Sequence, residues 1–394
     1  MSELELELEP LAAPAYIGSV RLGGVDGVWV DLANVLASVA IRHGRDDVDG
    51  PIQASTATLR LRAIPRADLE LWAPGTSLEV RDTDGDPIFT GRITDNGLLD
   101  DDPRVDSRLE VIAVSPLADA GRRPVGGHQW PAELWGARMA RILSEANLTG
   151  IVQAPTPDVP LAATVPIDPL DPTSFETMDA LAALETDRSS IGATAFDQAD
   201  GRIVVQAYAA RAGVYTPVRL DPVDVLYSPP WSRNLDVVNR VVLGYGYGAG
   251  SITVDDPASQ AIHGVRWSGS FETGLADAAT ATSIANLWLS RLSEPRWKLP
   301  SLTLLKRYPL KVGLVLELLN LPATAPLGQW TPIVEGWTDI IEGPDWHQEV
   351  VLSDPLLSGL ALPWRDVPAG FRWLDVDPAC SWSEAFVLDN LIPG

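Results

Sequence analysis

Cysteine occurs once in the 394 residues, at Cys380, so neither an internal disulfide framework nor a four-cysteine zinc site can form. So little cysteine suits folding in a reducing cytoplasm, even for a protein that later works outside a cell. Histidine is almost as scarce. His43, His128, His263 and His347 stand far apart, without a His-x-His or His-Glu-x-x-His spacing, and nothing in them points to a metal centre. Long apolar runs are missing too, and the opening Met-Ser-Glu-Leu-Glu has no basic flank and no apolar stretch, so neither a membrane span nor a signal peptide is expected. Lysine appears only as Lys298, Lys306 and Lys311, and arginine supplies the rest of the 29 basic residues. With abundant alanine, that is the codon bias of a GC-rich genome. Against 53 acidic residues the net charge is -24, which argues against tight binding to a phosphate backbone.

Motifs for chemistry are equally sparse. No Gly-x-Ser-x-Gly elbow occurs, and Cys380 lies in a tryptophan-rich tail without a nearby histidine. Gly244 to Gly250 looks like a phosphate-cradling loop but lacks the Lys-Ser/Thr ending, and Ser251 to Val254 behind it reads as strand, so no helix N-terminus faces an anion. Asp82, Asp84 and Asp86 have a spacing that hard cations favour, making them a weak metal candidate. The twelfth position of such a loop is Ile93, not glutamate, and Asp-Gly between strands is first a hairpin turn. Asp100, Asp101 and Asp102 form an acidic run in a loop, a solvated cluster by default. A glycosidase would need two carboxylates facing one cleft, and among so many acids the sequence singles out no pair. The expectation is a protein without catalysis and without a cofactor.

What the chain does have is a repeat. Pro87-Ile88-Phe89-Thr90-Gly91 resembles Pro332-Ile333-Val334-Glu335-Gly336, aligning Gly91 with Gly336. Upstream, Thr58 to Leu61 matches Ser301 to Leu304, and Leu78-Glu79-Val80 matches Leu316-Glu317-Leu318. Downstream, Glu110-Val111-Ile112 matches Glu349-Val350-Val351, each leading to Pro-Leu at the same distance. Four strand-like runs thus recur in one order, as in a duplicated β module.

Read along its length, the chain divides into five parts. Residues 1–14 form an arm in which Ser2 to Glu9 alternates glutamate with leucine, a half-buried strand that either pairs with a neighbouring subunit or frays. Residues 15–118 hold about seven short strands and form the first β-barrel or sandwich module. Residues 119–225 are an α+β insert, with helices expected over Trp130 to Asn147 and Pro172 to Glu185, the second opened by a Thr173/Glu176 capping box. Residues 226–358 form the second β module, with a helix over 276–292. Residues 359–394 carry Trp364, Trp373 and Trp382, aromatics expected to pack on the chain or on a partner. The fold class expected is mainly β, two related modules separated by a small α+β domain.

Val39-Ala40-Ile41-Arg42-His43-Gly44-Arg45, Ser55 to Leu59, Phe89 to Ile93, Val111 to Leu117, Val238 to Val241, the helix ending at Leu292 and Val334 to Leu357 together resemble the baseplate-hub, or tail-hub, family of long-tailed bacteriophages, often labelled minor tail proteins in phages of actinobacteria. The resemblance covers roughly residues 15 to 358. It implies a homotrimer made in the host cytoplasm and placed at the virion tail tip. Two barrels per chain, each like a tail-tube subunit, would match a six-fold tube to a three-fold tip. The implied partners are a distal tail protein or tail-tube ring, the tape-measure protein, and other tail-tip or fibre proteins. DNA would pass through without specific binding along an acidic lumen, with Asp100 to Asp102 as candidate lining acids. Some relatives carry a long fibre or a peptidoglycan-cleaving domain; here there is only the aromatic tail. A receptor- or carbohydrate-binding tail-tip protein, with Trp364, Trp373 and Trp382 as the platform, is the alternative.

Overall fold

The structure, a computed structural model, describes residues 17–353 except 24–28, 32–35, 47–49, 63–69, 100–107, 155, 169, 208–214, 227–230, 234–236, 296, 320, 322–324 and 326–329. The N-terminal half builds seven strands: β1 (Ile17–Gly23), β2 (Trp29–Asp31), β3 (Leu36–Gly44), β4 (Thr56–Leu61), β5 (Ser77–Asp82), β6 (Pro87–Leu99) and β7 (Arg108–Val114). Their period-two pattern has a direct consequence. Val39, Ile41, Leu59, Leu61, Leu78, Val80, Val111 and Ala113 alternate inward and share one apolar cluster closed by Trp72 and Phe89. Each large aliphatic so buried contributes on the order of 1.5–3 kcal/mol.

The insert follows. Helix α1 (Trp135–Glu145) buries Trp135, Arg138, Met139, Ile142 and Leu143, one face at helical spacing. It starts later than the expected Trp130 because Glu133 and Leu134 pair with Leu161 and Pro160 as a short ladder. Strand β8 (Gly150–Gln153) comes next, then helix α2 (Ala180–Ser189). The expected capping box at Thr173 does not form. The Thr173 hydroxyl donates to Asp171 at 2.7 Å, and Thr177–Asp179 pairs with Pro124–Gly126. The cap is Asp179, whose carboxylate accepts from Ala182 N at 2.8 Å. Strands β9 (Thr194–Asp197) and β10 (Ile203–Gln206) complete a three-stranded sheet in the order β8-β10-β9.

The C-terminal half adds β11 (Val225–Leu226), the hairpin β12 (Arg240–Tyr245) and β13 (Gly250–Asp255), helix α3 (Pro257–His263), β14 (Trp267–Phe271), helix α4 (Ala278–Leu292), β15 (Ser301–Leu304), β16 (Leu316–Glu317), β17 (Ile333–Glu342) and β18 (Asp345–Ser353). The glycine-rich stretch is the β12–β13 turn, with Gly246, Tyr247 and Gly248 all at positive φ. Helix α4 packs on β12 and β13, and its buried Ala281, Ile284, Ala285 and Leu289 join the apolar cluster of the insert. The remaining C-terminal strands pack around Leu302, Leu304, Leu316, Trp330, Val350 and Leu352.

Strands of both halves enter one eleven-stranded sheet, in the order β11-β15-β18-β17-β3-β4-β7-β6-β5-β1-β2. The molecule is mainly β, and its two β regions are continuous through the β17–β3 pairing.

Candidate functional site: the junction of the duplicated strand units

Backbone pairing tests the repeat directly. In the first half Thr58, Leu59, Arg60 and Leu61 of β4 face Ile112, Val111, Glu110 and Leu109 of β7. In the second half Ser301, Leu302, Thr303 and Leu304 of β15 face Val351, Val350, Glu349 and Gln348 of β18. Under the sequence matches these are the same four pairs. The bulges coincide as well: β6 slips between Ile93 and Asp95, opposite Ala113 and Ile112, and β17 slips between Val334 and Gly336, opposite Leu352 and Val351. Leu78 faces Gly91, and its counterpart Leu316 donates its N–H to Pro332 O at 2.9 Å.

This register corrects the alignment of the two glycines. Gly91 is the counterpart of Pro332, Asp95 of Gly336 and Phe89 of Trp330, so the Pro-Ile-x-x-Gly match is four residues out of step. Each glycine has its own reason. A side chain at Gly91 would run into the Val114 carbonyl, and one at Gly336 into the carbonyls of His43 and Arg45.

The two units meet where β17 lies against β3, from Gly336 opposite Gly44 to Glu342 opposite Ser38. The Gly44 end is tight. Its φ is 71°, and a Cβ there would meet the Glu335 carbonyl. Glu335 occupies the bulge, which turns its side chain toward the end of β3. Arg45 donates to Glu335 Oε2 through Nε at 2.9 Å and Nη2 at 2.8 Å, and Ser353 Oγ donates to Oε1 at 2.6 Å. Both charged side chains are buried, at 4% and 0% exposure. A desolvated pair of this kind holds its geometry because either charge alone would be costly.

At the next pair, His43 opposite Trp337, the two rings stack with centroids 4.6 Å apart. His43 Nε2 lies 3.5 Å from Asp339. The Asp339 carboxylate accepts from Trp337 Nε1, Trp346 Nε1 and Gln348 Nε2, each at 2.8 Å. Burial pushes this carboxyl up, but the His43 contact and the donors outweigh it, so Asp339 ends below the usual carboxylate range. Asp197, at the end of β9, ties the insert to the same place. It accepts from Ser55 N at 3.2 Å, Leu117 N at 3.1 Å and the Ser115 hydroxyl. Burial pushes its carboxyl up to about 6. Asp197, Asp339, His43, Trp337 and Arg307 border a cavity of about 410 Å³ between the insert and the two units. Asp197 and Asp339 are already engaged by donors, an arrangement that fastens three parts together.

Asp82, Asp84 and Asp86 form a turn. Asp82 Oδ1 accepts the N–H groups of Asp84 at 3.0 Å and Asp86 at 2.8 Å, and its other oxygen pairs with Arg307. Among the described residues no three metal-ligating side chains are gathered. Asp100, Asp101, Asp102, Trp364, Trp373 and Trp382 lie outside the described residues. Sequence reasoning did not single out Arg45, Glu335, Asp197 or Asp339. The available signal was acids, Glu335 and Asp339, within an otherwise apolar strand.

No family model matches the chain, and no curated protein does. Solved structures do. The 43 kDa tail protein of prophage MuSo2 from Shewanella oneidensis matches with a TM-score of 0.57 at 11% identity, covering 86% of this chain and 99% of that one. A tail protein from Neisseria meningitidis MC58 gives 0.58 at 14% identity over 87% and 98%. Prophage tail protein gp18 from Listeria monocytogenes EGD-e gives 0.54 at 9% identity over 84% and 94%. At such identities the likeness is one of fold, and the chain has the fold of these tail proteins over most of its length.

Proposed function

We propose that this chain is a structural, non-catalytic component of a phage tail, acting as a homotrimeric hub that adapts a six-fold tube to a three-fold tip. The observation that carries the reading is the junction: one chain joins two strand units of equal register edge to edge, so three chains supply six. The channel so formed would pass tape-measure protein and DNA, and its acidic surface would repel the phosphate backbone.

The pairing pattern also supports one contact between copies. β11 stands to β15 as β3 stands to β4, since Val225 faces Leu304 and Leu226 faces Thr303 where Leu36 faces Leu61 and Ser38 faces Arg60. Residues 95–99 of β6 correspond to 336–340 of β17, the stretch that β3 covers. Among the described residues 95–99 pair only with β7. In the trimer, β11 of one copy would lie on this edge of the next. Its surroundings suit burial: Val223, Leu226 and Leu305 are 76%, 52% and 55% exposed. Native mass spectrometry of the full chain should give a trimer, reduced to monomer by Leu226→Asp with Leu305→Asp. A wild-type chain that stays monomeric at tens of micromolar, and is absent from a cryo-EM map of the tail tip, would remove the reading.

A further inference from the structure

Residues 142–187 hold eight acids and neither a lysine nor an arginine. Part of this stretch surrounds a second cavity, of about 430 Å³. Ala182, Ala183, Thr186 and Asp187 line it from α2, four positions on one side of a helix, and the two alanines leave room for a guest. Much of the remaining wall is apolar, with Trp130, Val165, Phe175 and Met178. The loop that carries Val165 is preformed. Trp130 N donates to Thr164 Oγ1 at 2.9 Å, Thr164 N to Trp130 O at 3.1 Å, and Ile167 N to Ser174 O at 2.6 Å. It nevertheless leaves Val165 50% and Ile167 66% exposed beside the opening.

Asp187 is the one charged side chain of this lining that is out of water, at 3% exposure. Its Oδ1 accepts from the Tyr247 hydroxyl at 3.1 Å. Its Oδ2 takes no hydrogen bond among the described residues. Arg138 Nη1 stops 3.7 Å short of it, because that guanidinium is held by Glu133 at 2.8 Å, by the carbonyls of Pro131 and Ala162 at 2.9 and 3.0 Å, and by Tyr247. Burial pushes the Asp187 carboxyl up to about 6 against the pull of Arg138, so its charge is under-compensated where it stands. The other charged residues of the lining add no free cation: Glu176 is exposed, and His128 sits 3.2 Å from Glu145. Arg123 lies three residues beyond Gly126 of the lining, about 10 Å along a strand, with Arg122 farther still.

We propose that this cavity takes a lysine side chain presented by another protein. The aliphatic stem would lie along Val165, Phe175 and Met178, and the ammonium would donate to Asp187 Oδ2. Lysine fits better than arginine, since a forked guanidinium needs both carboxylate oxygens and Tyr247 occupies one. A second copy of the chain is a poor donor. Of its three lysines, Lys306 is engaged by Asp224, Lys311 lies over the Tyr215 ring and Lys298 is in a ladder with Ser232. The assignment is independent of the hub reading.

The chain has three methionines, Met1, Met139 and Met178, so ¹³C-methyl labelling gives a sparse spectrum in which Met178 reports on the cavity. At about pH 7.5, where Asp187 is ionised, the peptide Ac-Val-Lys-Val-NH2 should shift the Met178 signal saturably. Its norleucine twin keeps the stem without the ammonium and should bind roughly 10- to 100-fold more weakly, with the arginine peptide in between. No saturable shift, or a norleucine peptide that binds equally well, would overturn the proposal, and both are read on the natural chain, where misfolding plays no part. An arginine peptide as tight as the lysine one would overturn the choice of lysine. Asp187→Asn should abolish the lysine preference while the Met139 signal keeps its position as a sign of intact folding. A preference that survives in that folded variant would refute the role of Asp187.

Discussion

Removing Arg45 probes the junction where it is most constrained. Arg45→Ala strips two charge-assisted hydrogen bonds from a fully buried Glu335 carboxylate, whose other oxygen keeps the Ser353 hydroxyl. Breaking one side of a buried pair costs about 3–5 kcal/mol, whereas replacing both partners by apolar groups of similar volume is often neutral. The double variant Arg45→Met, Glu335→Leu should therefore recover most of the loss. A chain with several apolar clusters need not unfold in one step, so the local opening of β17 against β3 is the quantity to follow. Amide exchange of Trp337 to Ile341 reports it, with Trp337 fluorescence in urea as a second probe. In Arg45→Ala those amides should exchange roughly 10² to 10⁴ times faster. A cost below about 1 kcal/mol would mean that the pair is not desolvated, and a double variant no better than the single would mean that packing holds the junction.

Gly44→Ala should destabilise the same pairing by about 1–3 kcal/mol through its left-handed backbone and the Glu335 carbonyl, read as a lower urea midpoint; a shift within error would refute the close approach. Asp197→Asn should flatten the pH dependence of stability. The folded carboxyl is raised from 3.8 to about 6, so its contribution is complete below about pH 4 and is lost as pH rises through 6, by about 3 kcal/mol. Asp187 is raised to about 6 in the same way, so the variant should keep part of the slope between pH 4 and 7. An unchanged slope would show that Asp197 is solvated.

Strand positions were the legible part of the fold. Runs expected at 57–61, 78–81, 88–94 and 108–114 appear as β4, β5, β6 and β7, because half-buried strands write their alternation into the sequence. Three of the four repeat matches keep the register of the backbone pairs. The glycine match does not, for a physical reason. Glycine is required wherever another main chain passes close, and such crossings fall at different points of β6 and β17. What joins the halves was hidden because β3 and β17 meet across nearly 300 residues of chain, as the 290-residue separation of Arg45 and Glu335 shows. No local pattern reports such a pairing. Asp197 was hidden likewise, since its donors Ser55 and Leu117 are far away in sequence.

Thr94 and Glu335 occupy the same bulge in the two units, yet Thr94 is exposed and bonds only locally, its hydroxyl donating to the Ile112 carbonyl at 3.2 Å, whereas Glu335 is buried. The difference is the strand laid over the edge: β3 covers Glu335 and brings Arg45 with it. If β11 of a neighbouring copy covers β6 in the same manner, Thr94 and Asp95, exposed in the single chain, become buried at the contact. Thr94→Lys should then weaken the trimer at tens of micromolar, because a buried ammonium without a partner is costly, and it would be silent if this edge faces solvent. Mass measurement of the variant decides. A trimer untouched by Thr94→Lys while Leu226→Asp still dissociates it would keep β11 in the contact and move the contact off β6.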